Sequence, residues 1–221
     1  MNNKFTRWSI SSFIILMTFW ISIDLYSRSS GSGISGLTAS NSGGCSCHAS
    51  SPNSATSLSV SSSSGSFKLQ PGNELTLTVS VQNSSLSKAG VNIAVKTTET
   101  GSSNAGTLNF ESGSGLRSEN GEITHSTPKS ISGGKADFVF TWTAPSTPGT
   151  YYLRAIGNAV DGDGGADGQD QHNWMTPKQI VVAGVNLTAP TASANWCTPT
   201  NQTITWTSAG IDNVKIELSD N

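Results

Sequence analysis

Charge is scarce in this 221-residue chain: 12 Lys and Arg stand against 14 Asp and Glu, together only 12% of the residues. With a net charge of −2 and its few cations scattered, the chain offers no basic field to a phosphate backbone, and nucleic acid is excluded as a partner. Helix formers are thin on the ground beside serine, threonine and glycine. Threonine suits a pleated surface, while serine and glycine favour caps and loops, so the bias is toward strands and turns. Catalytic constellations are missing as well. No nucleophile–base pair, phosphate-binding loop or paired-carboxylate cleft is legible, which argues against an enzyme.

What is present centres on 138–159. Phe138, Phe140 and Trp142 alternate with Val139 and Thr141, which in an extended strand puts three rings on one face and leaves the other lightly loaded. Ala144-Pro145 through Pro148-Gly149 ends that strand, since proline cannot donate to a ladder, and Tyr151, Leu153 and Ala155 resume the period on a second one. Pro71-Gly72-Asn73 launches Leu75, Leu77, Val79 and Val81, and Val91, Ile93 and Val95 repeat the pattern. Shorter candidates lie at 58–60, 107–110, 122–126 and 178–182. Short strands separated by turn signals predict an all-β, immunoglobulin-like antiparallel β-sandwich of seven or eight strands over 57–184.

The flanks differ from this core. Lys4 and Arg7, the apolar run Trp8–Ile23 and the polar Ser27–Ser30 read over 1–29 as a signal peptide or a retained signal anchor, with no lipobox cysteine after it. Residues 30–56 form a Gly/Ser-rich tract expected to be a flexible arm. From 185 onward a linker at Thr188-Ala-Pro precedes strand patterns at 202–206 and 214–218. These are too short to close a second sandwich and are expected to be the start of an incomplete C-terminal β module, so a further C-terminal anchor is an expectation too.

Inside the arm sits Gly43-Gly44-Cys45-Ser46-Cys47-His48. Two thiols beside a histidine suggest covalent haem c, in which the thiols add to the vinyl groups and the histidine ligates iron. The usual spacing is Cys-x-x-Cys-His, and here one intervening residue is absent. Alternatives stay open: a disulfide from Cys45 or Cys47 to Cys197, a strained local bridge, an exposed pair with no role, or a two-cysteine, one-histidine metal site.

The order of short motifs resembles the reelin-type (Reeler) domain, and in particular the bacterial exported version called the choice-of-anchor V domain. The residues that carry the resemblance are Cys45 to His48, Pro71-Gly72, Ile123-Thr124-His125, Trp142 to Pro145, Tyr151 to Ala155, and Ala155 to Ala159 before an Asp/Gly loop. It covers about 33–182. It implies a secreted or cell-surface sandwich, usually held by a variable C-terminal anchor, with no catalytic activity. Relatives typically carry Cys-x-x-Cys-His at the position of Cys45–His48, which strengthens the haem reading.

If His48 held iron on one side, the opposite donor would be sought first at His125, then at His172 or Met175. Asp161, Asp163, Asp167 and Asp170, on glycine-rich backbone, are hard oxygen donors that suit Ca²⁺ without matching an EF-hand. The function expected is an exported, non-catalytic surface module that binds an extracellular ligand or mediates adhesion. The alternative is a haem carrier for electron transfer or sensing.

Overall fold

The computed structural model describes residues 30–39, 44–196 and 200–217. The proposed signal or anchor over 1–29, and Cys197 with its candidate disulfide, lie outside the described residues. In chain order the strands are β1 Ser57–Ser62, β2 Lys68–Leu69, β3 Glu74–Gln82, β4 Lys88–Lys96, β5 Thr107–Asn109, β6 Leu116–Glu119 and β7 Glu122–His125. They continue with β8 Lys129–Ser130, β9 Lys135–Thr143, β10 Gly149–Val160, β11 Gln171–Trp174, β12 Lys178–Val182, β13 Gly184–Ala189 and β14 Thr205–Ala209.

Two sheets face each other. One has the order β1-β3-β9-β5, and the other β2-β12-β10-β4-β7-β6, with β11 added beside β10 and β8 beside β4. The protein is therefore an all-β sandwich. It has more strands than the alternation pattern marked out, because β2 and β8 are two residues long and carry no period to read, and the four-residue, mainly polar β6 and β11 alternate too little to stand out. All sandwich pairings are antiparallel except β2 with β12, which is parallel.

The period-two faces meet as the alternation requires. In the β3/β9 ladder Leu75 stands opposite Trp142, Leu77 opposite Phe140 and Val79 opposite Phe138. All six are buried in the shared core with Val81, Ile93, Tyr151 and Leu153, whereas Val139 on the other face is 49% exposed. Trp142 is completely buried; its indole Nε1 donates to the Ala105 carbonyl at 2.8 Å and its ring tilts against Tyr151 at 5.9 Å. Emptying that volume by truncation to alanine would cost about 3–5 kcal/mol.

β4 breaks the in–out rule. Ala89, Val91, Ile93 and Val95 join the core, and Asn92, Ala94 and Lys96, which alternate with them, are buried as well. Lys96 is covered by Ser102 and Asn104 of the loop after β4, and Asn92 by the 30–56 tract. Gly33 N donates to Glu119 Oε1 at 2.6 Å, Gly36 N to Glu122 Oε2 at 2.8 Å, Leu37 N to Asn92 Oδ1 at 3.2 Å, and Asn53 N to the His172 carbonyl at 2.8 Å. The arm expected to be flexible is thus docked across the larger sheet, by hydrogen bonds more than by apolar burial. Its serines and glycines hid this, because backbone N–H groups leave no side-chain signature.

Beyond the sandwich, β13 and β14 form a separate two-stranded sheet. β13 begins at Gly184 and runs into the linker expected at Thr188-Ala-Pro, and the strand expected at 214–218 is absent over 214–217, with Leu218 outside the described residues. Val185, Leu187, Trp206, Val214 and Ile216 are exposed, so this hairpin buries no face of its own.

Candidate functional site

Between the arm and the outer face of the larger sheet lies a hollow of about 270 Å³. Cys45, Cys47 and His48 supply one wall, while Val91 and Asn92, His125, and Ile156 with Asn158 supply the others, from β4, β7 and β10 in turn. Four residues singled out from sequence, Cys45, Cys47, His48 and His125, are therefore brought to one cavity although the last is far along the chain.

The cysteine tract reaches the cavity on a tight turn. The Cys45 carbonyl accepts from His48 N at 2.9 Å and Ala49 N at 3.3 Å, which folds the four residues back on themselves. Gly44 is required just before it. Its φ is +57°, and a Cβ there would lie 2.5 Å from Trp174 Cζ2 and 3.1 Å from His172 Nε2, so the turn sits directly on the β11 side chains. Trp174 in turn donates from Nε1 to the Leu37 carbonyl at 3.0 Å, and its ring meets His172 edge-on at 5.3 Å.

His48 is oriented by Asp170. The two side chains meet at 2.6 Å between Nδ1 and Oδ2, with Asp170 almost wholly buried. A carboxylate that fixes one ring nitrogen leaves the other, Nε2, as the one for a ligand, which is how ligating histidines are usually held. His172 lies beneath the same turn, its Nδ1 buried without a partner. Burial, and then the neighbouring His48, lower its pKa from the ordinary histidine value, so the ring is kept neutral.

His125 is placed differently. The β4/β7 pairing runs through Asn92–Thr124 and Ile93–Ile123, and at the next position the His125 imidazole takes over from the ladder. Its Nδ1 lies 3.1 Å from Val91 N and 3.3 Å from Val91 O. The ring packs so closely on Gly90 that a Cβ there would fall 2.6 Å from Cε1. With Nδ1 accepting from Val91 N–H the proton sits on Nε2, and Nε2 becomes a metal donor only in the other tautomer, with Nδ1–H donating to Val91 O.

Among the described residues Cys45 and Cys47 form no disulfide. Burial, and then the charge of Cys47, push the Cys45 thiol up to about 12. A Cys–His–Asp set is thus present in composition, but a nucleophile of this type needs its pKa lowered, and Cys45 has the opposite environment.

The acidic turn does not stay together. Asp161 Oδ1 accepts from Asp163 N, Asp163 Oδ1 from Gly165 N and Asp167 Oδ1 from Gln169 N, each closing its own local turn, while Asp170 turns inward to His48. Among the described residues no three His, Cys, Asp or Glu side chains converge in a way that would hold a metal ion. Met175 belongs to the apolar core between the sheets. Sequence reading missed the part played by Asp170 and Trp174 at the cavity, and no local signal pointed to either.

Comparison with known proteins bears on the sandwich. The fold resembles the reeler domain. The reeler domain of human F-spondin matches at 17% identity with a TM-score of 0.42, over 56% of this chain and 86% of that one. The Reelin-N domain of F-spondin matches at 15% identity and 0.42, over 62% and 94%. BslA, a bacterial hydrophobin, matches at 17% identity and 0.36, over 60% and 97%. No protein-family model and no curated protein matches the chain. Likeness at these identities and TM-scores is silent about what the cavity holds, which rests on its own residues.

Proposed function

We propose that this protein is an exported, non-catalytic β-sandwich module that binds an apolar ligand in the hollow beneath the Gly44–His48 turn. The observation that carries this reading is the hollow itself: about 270 Å³, walled by the arm and three strands, with Ile34, Leu37, Ile156 and Val160 beside a few polar groups. Concave, mainly apolar sites with a small number of placed polar groups are the usual form of a small-molecule site. Export is supported by the 1–29 pattern and by the motif order that resembles the bacterial choice-of-anchor V domain. A non-catalytic role agrees with the raised Cys45 thiol. Saturable binding of a neutral apolar probe, mapped to Gly44–His48 and Gly90–Asn92, tests the proposal.

A second reading is favoured by the presence of Cys45, Cys47, His48 and His125 in the walls of one hollow: that the ligand is a covalently attached haem. The residues fit in kind. Cys45 and Cys47 would hold it by thioethers, His48, oriented by Asp170, would ligate through Nε2, and His125 would complete the iron after the tautomer change. Bound haem would supply one-electron transfer. At about 270 Å³ the hollow is below the range of about 300–1,000 Å³ common for ligand pockets, so a porphyrin requires the Gly44–His48 turn to move outward. Protein exported from a host with cytochrome maturation should then carry the mass of one haem and keep a Soret band through acid-acetone extraction. Colourless protein of unmodified mass removes the haem reading and leaves the apolar site.

A further inference from the structure

The same outer face carries a second hollow, of about 510 Å³, lined mostly by polar and charged residues. Its walls include Ser35 and Gly36 of the arm, Ser102 and Asn104 of the loop after β4, and Lys96, Glu122 and Arg154 of the sheet. Nothing in the proposed function uses it.

The three charges in this hollow are not equally provided for. Glu122 accepts from Lys96 Nζ at 2.6 Å, from Asn92 Nδ2 at 2.8 Å and from Gly36 N at 2.8 Å. Lys96 Nζ completes its donors with the Ser102 carbonyl at 3.1 Å and Asn104 Oδ1 at 2.5 Å. Arg154 has no such set. It is 3% exposed, its Nη1 donates to the Glu99 carbonyl at 3.0 Å, and its Nε–H is buried with no partner. Among the described residues no carboxylate lies within ion-pairing distance of it. Burial lowers the guanidinium's pKa, and only the more distant Glu122 opposes that.

Lys96 and Glu122 cancel, so the hollow holds one uncompensated positive charge. A buried guanidinium with an orphan N–H is unfavourable until an acceptor arrives, and its planar fork matches an oxyanion through paired N–H bonds. A single excess charge matches a monoanion, whereas a phosphate brings roughly −1.5 to −2 at neutral pH. The remaining lining suits hydroxyl groups: Thr100 and Ser102 are exposed, and Ser35 Oγ accepts from Asn120 Nδ2 at 2.8 Å and keeps its own proton to donate. We propose that this hollow is a carboxylate site in which Arg154 takes the acid group of a hydroxylated carboxylic acid of the uronic-acid type.

The test is an amide NMR titration of the full chain with sodium glucuronate, using glucose as a neutral molecule of similar shape. Saturable shifts at Gly36, 99–104 and Asn120-Gly121 are expected with glucuronate and not with glucose. Arg154→Gln should weaken binding about tenfold or more, and Arg154→Lys should restore part of it, because charge returns without the fork. Equal binding of glucose, shifts elsewhere on the molecule, or wild-type affinity in Arg154→Gln would overturn the proposal. If Arg154→Gln does not fold, the wild-type shift map and the glucose control decide the matter alone.

Discussion

His48 Nδ1 and Asp170 Oδ2 meet at 2.6 Å across 122 residues of sequence, joining the cysteine-bearing turn to the loop that precedes β11. Asp170 is nearly inaccessible, and among the described residues its carboxylate has this one side chain to replace water. Removing the partner leaves a buried acceptor unpaired. His48→Ala should therefore destabilise the protein by roughly 2–3 kcal/mol in chemical denaturation, and Asp170→Asn, which keeps an acceptor oxygen, by less. If Asp170 instead belonged to a calcium loop with Asp161, Asp163 and Asp167, the variants would matter only when calcium is present. Repeating both denaturations in chelator separates the cases.

The sequence showed those parts of this architecture whose cause is local. Leu75–Val81 and Phe138–Trp142 announce themselves because each strand has one buried and one open face, and the structure buries the faces expected. β4 conceals its outer face, since Asn92 and Lys96 read as solvent-facing until the arm covers the first and the loop after β4 the second. The β6/β7 hairpin had a signal in Asn120-Gly121, whose φ values of 51° and 74° are those of a type I′ turn, yet the polar strand Leu116–Glu119 has too little alternation to stand out. At the cavity, Cys45, Cys47, His48 and His125 were legible as chemistry. Asp170 was legible only as an acid among glycines, because its partner is distant in the chain.

The seating of the turn on β11 can be tested at Gly44. Alanine there meets Trp174 and adopts a left-handed φ that costs about 1–2 kcal/mol, so Gly44→Ala should raise the population in which the turn lifts away. Cys45, half-buried and held as a thiol in the closed form, reports that opening. Its alkylation at neutral pH should quicken by roughly tenfold, while the global melting temperature changes little. An unchanged rate would mean that the turn is not held against Trp174.

The neutral, buried His172 makes the same region sensitive to acid. Its folded-state pKa lies below the ordinary value of about 6.5, so the unfolded chain binds the proton more readily. The stability it contributes is complete above about pH 6.5 and is lost as pH falls toward the lowered folded value. Melting temperature should be level at neutral pH and decline on mild acidification, and His172→Leu should flatten that decline. A decline that survives the substitution would assign it to other groups.

Whether the hollow beneath Gly44–His48 is a ligand site is measured most directly by an amide NMR titration of the full chain with N-phenylnaphthylamine. The probe is neutral and apolar, so it favours neither the Arg154 hollow nor any charged patch. Saturable shifts confined to Leu37, Gly44–His48, Gly90–Asn92 and Ile156–Val160 are predicted, the residues that line or adjoin the hollow. Shifts concentrated instead on Leu187 and Trp206 of the exposed β13/β14 hairpin, or none that saturate, would contradict it.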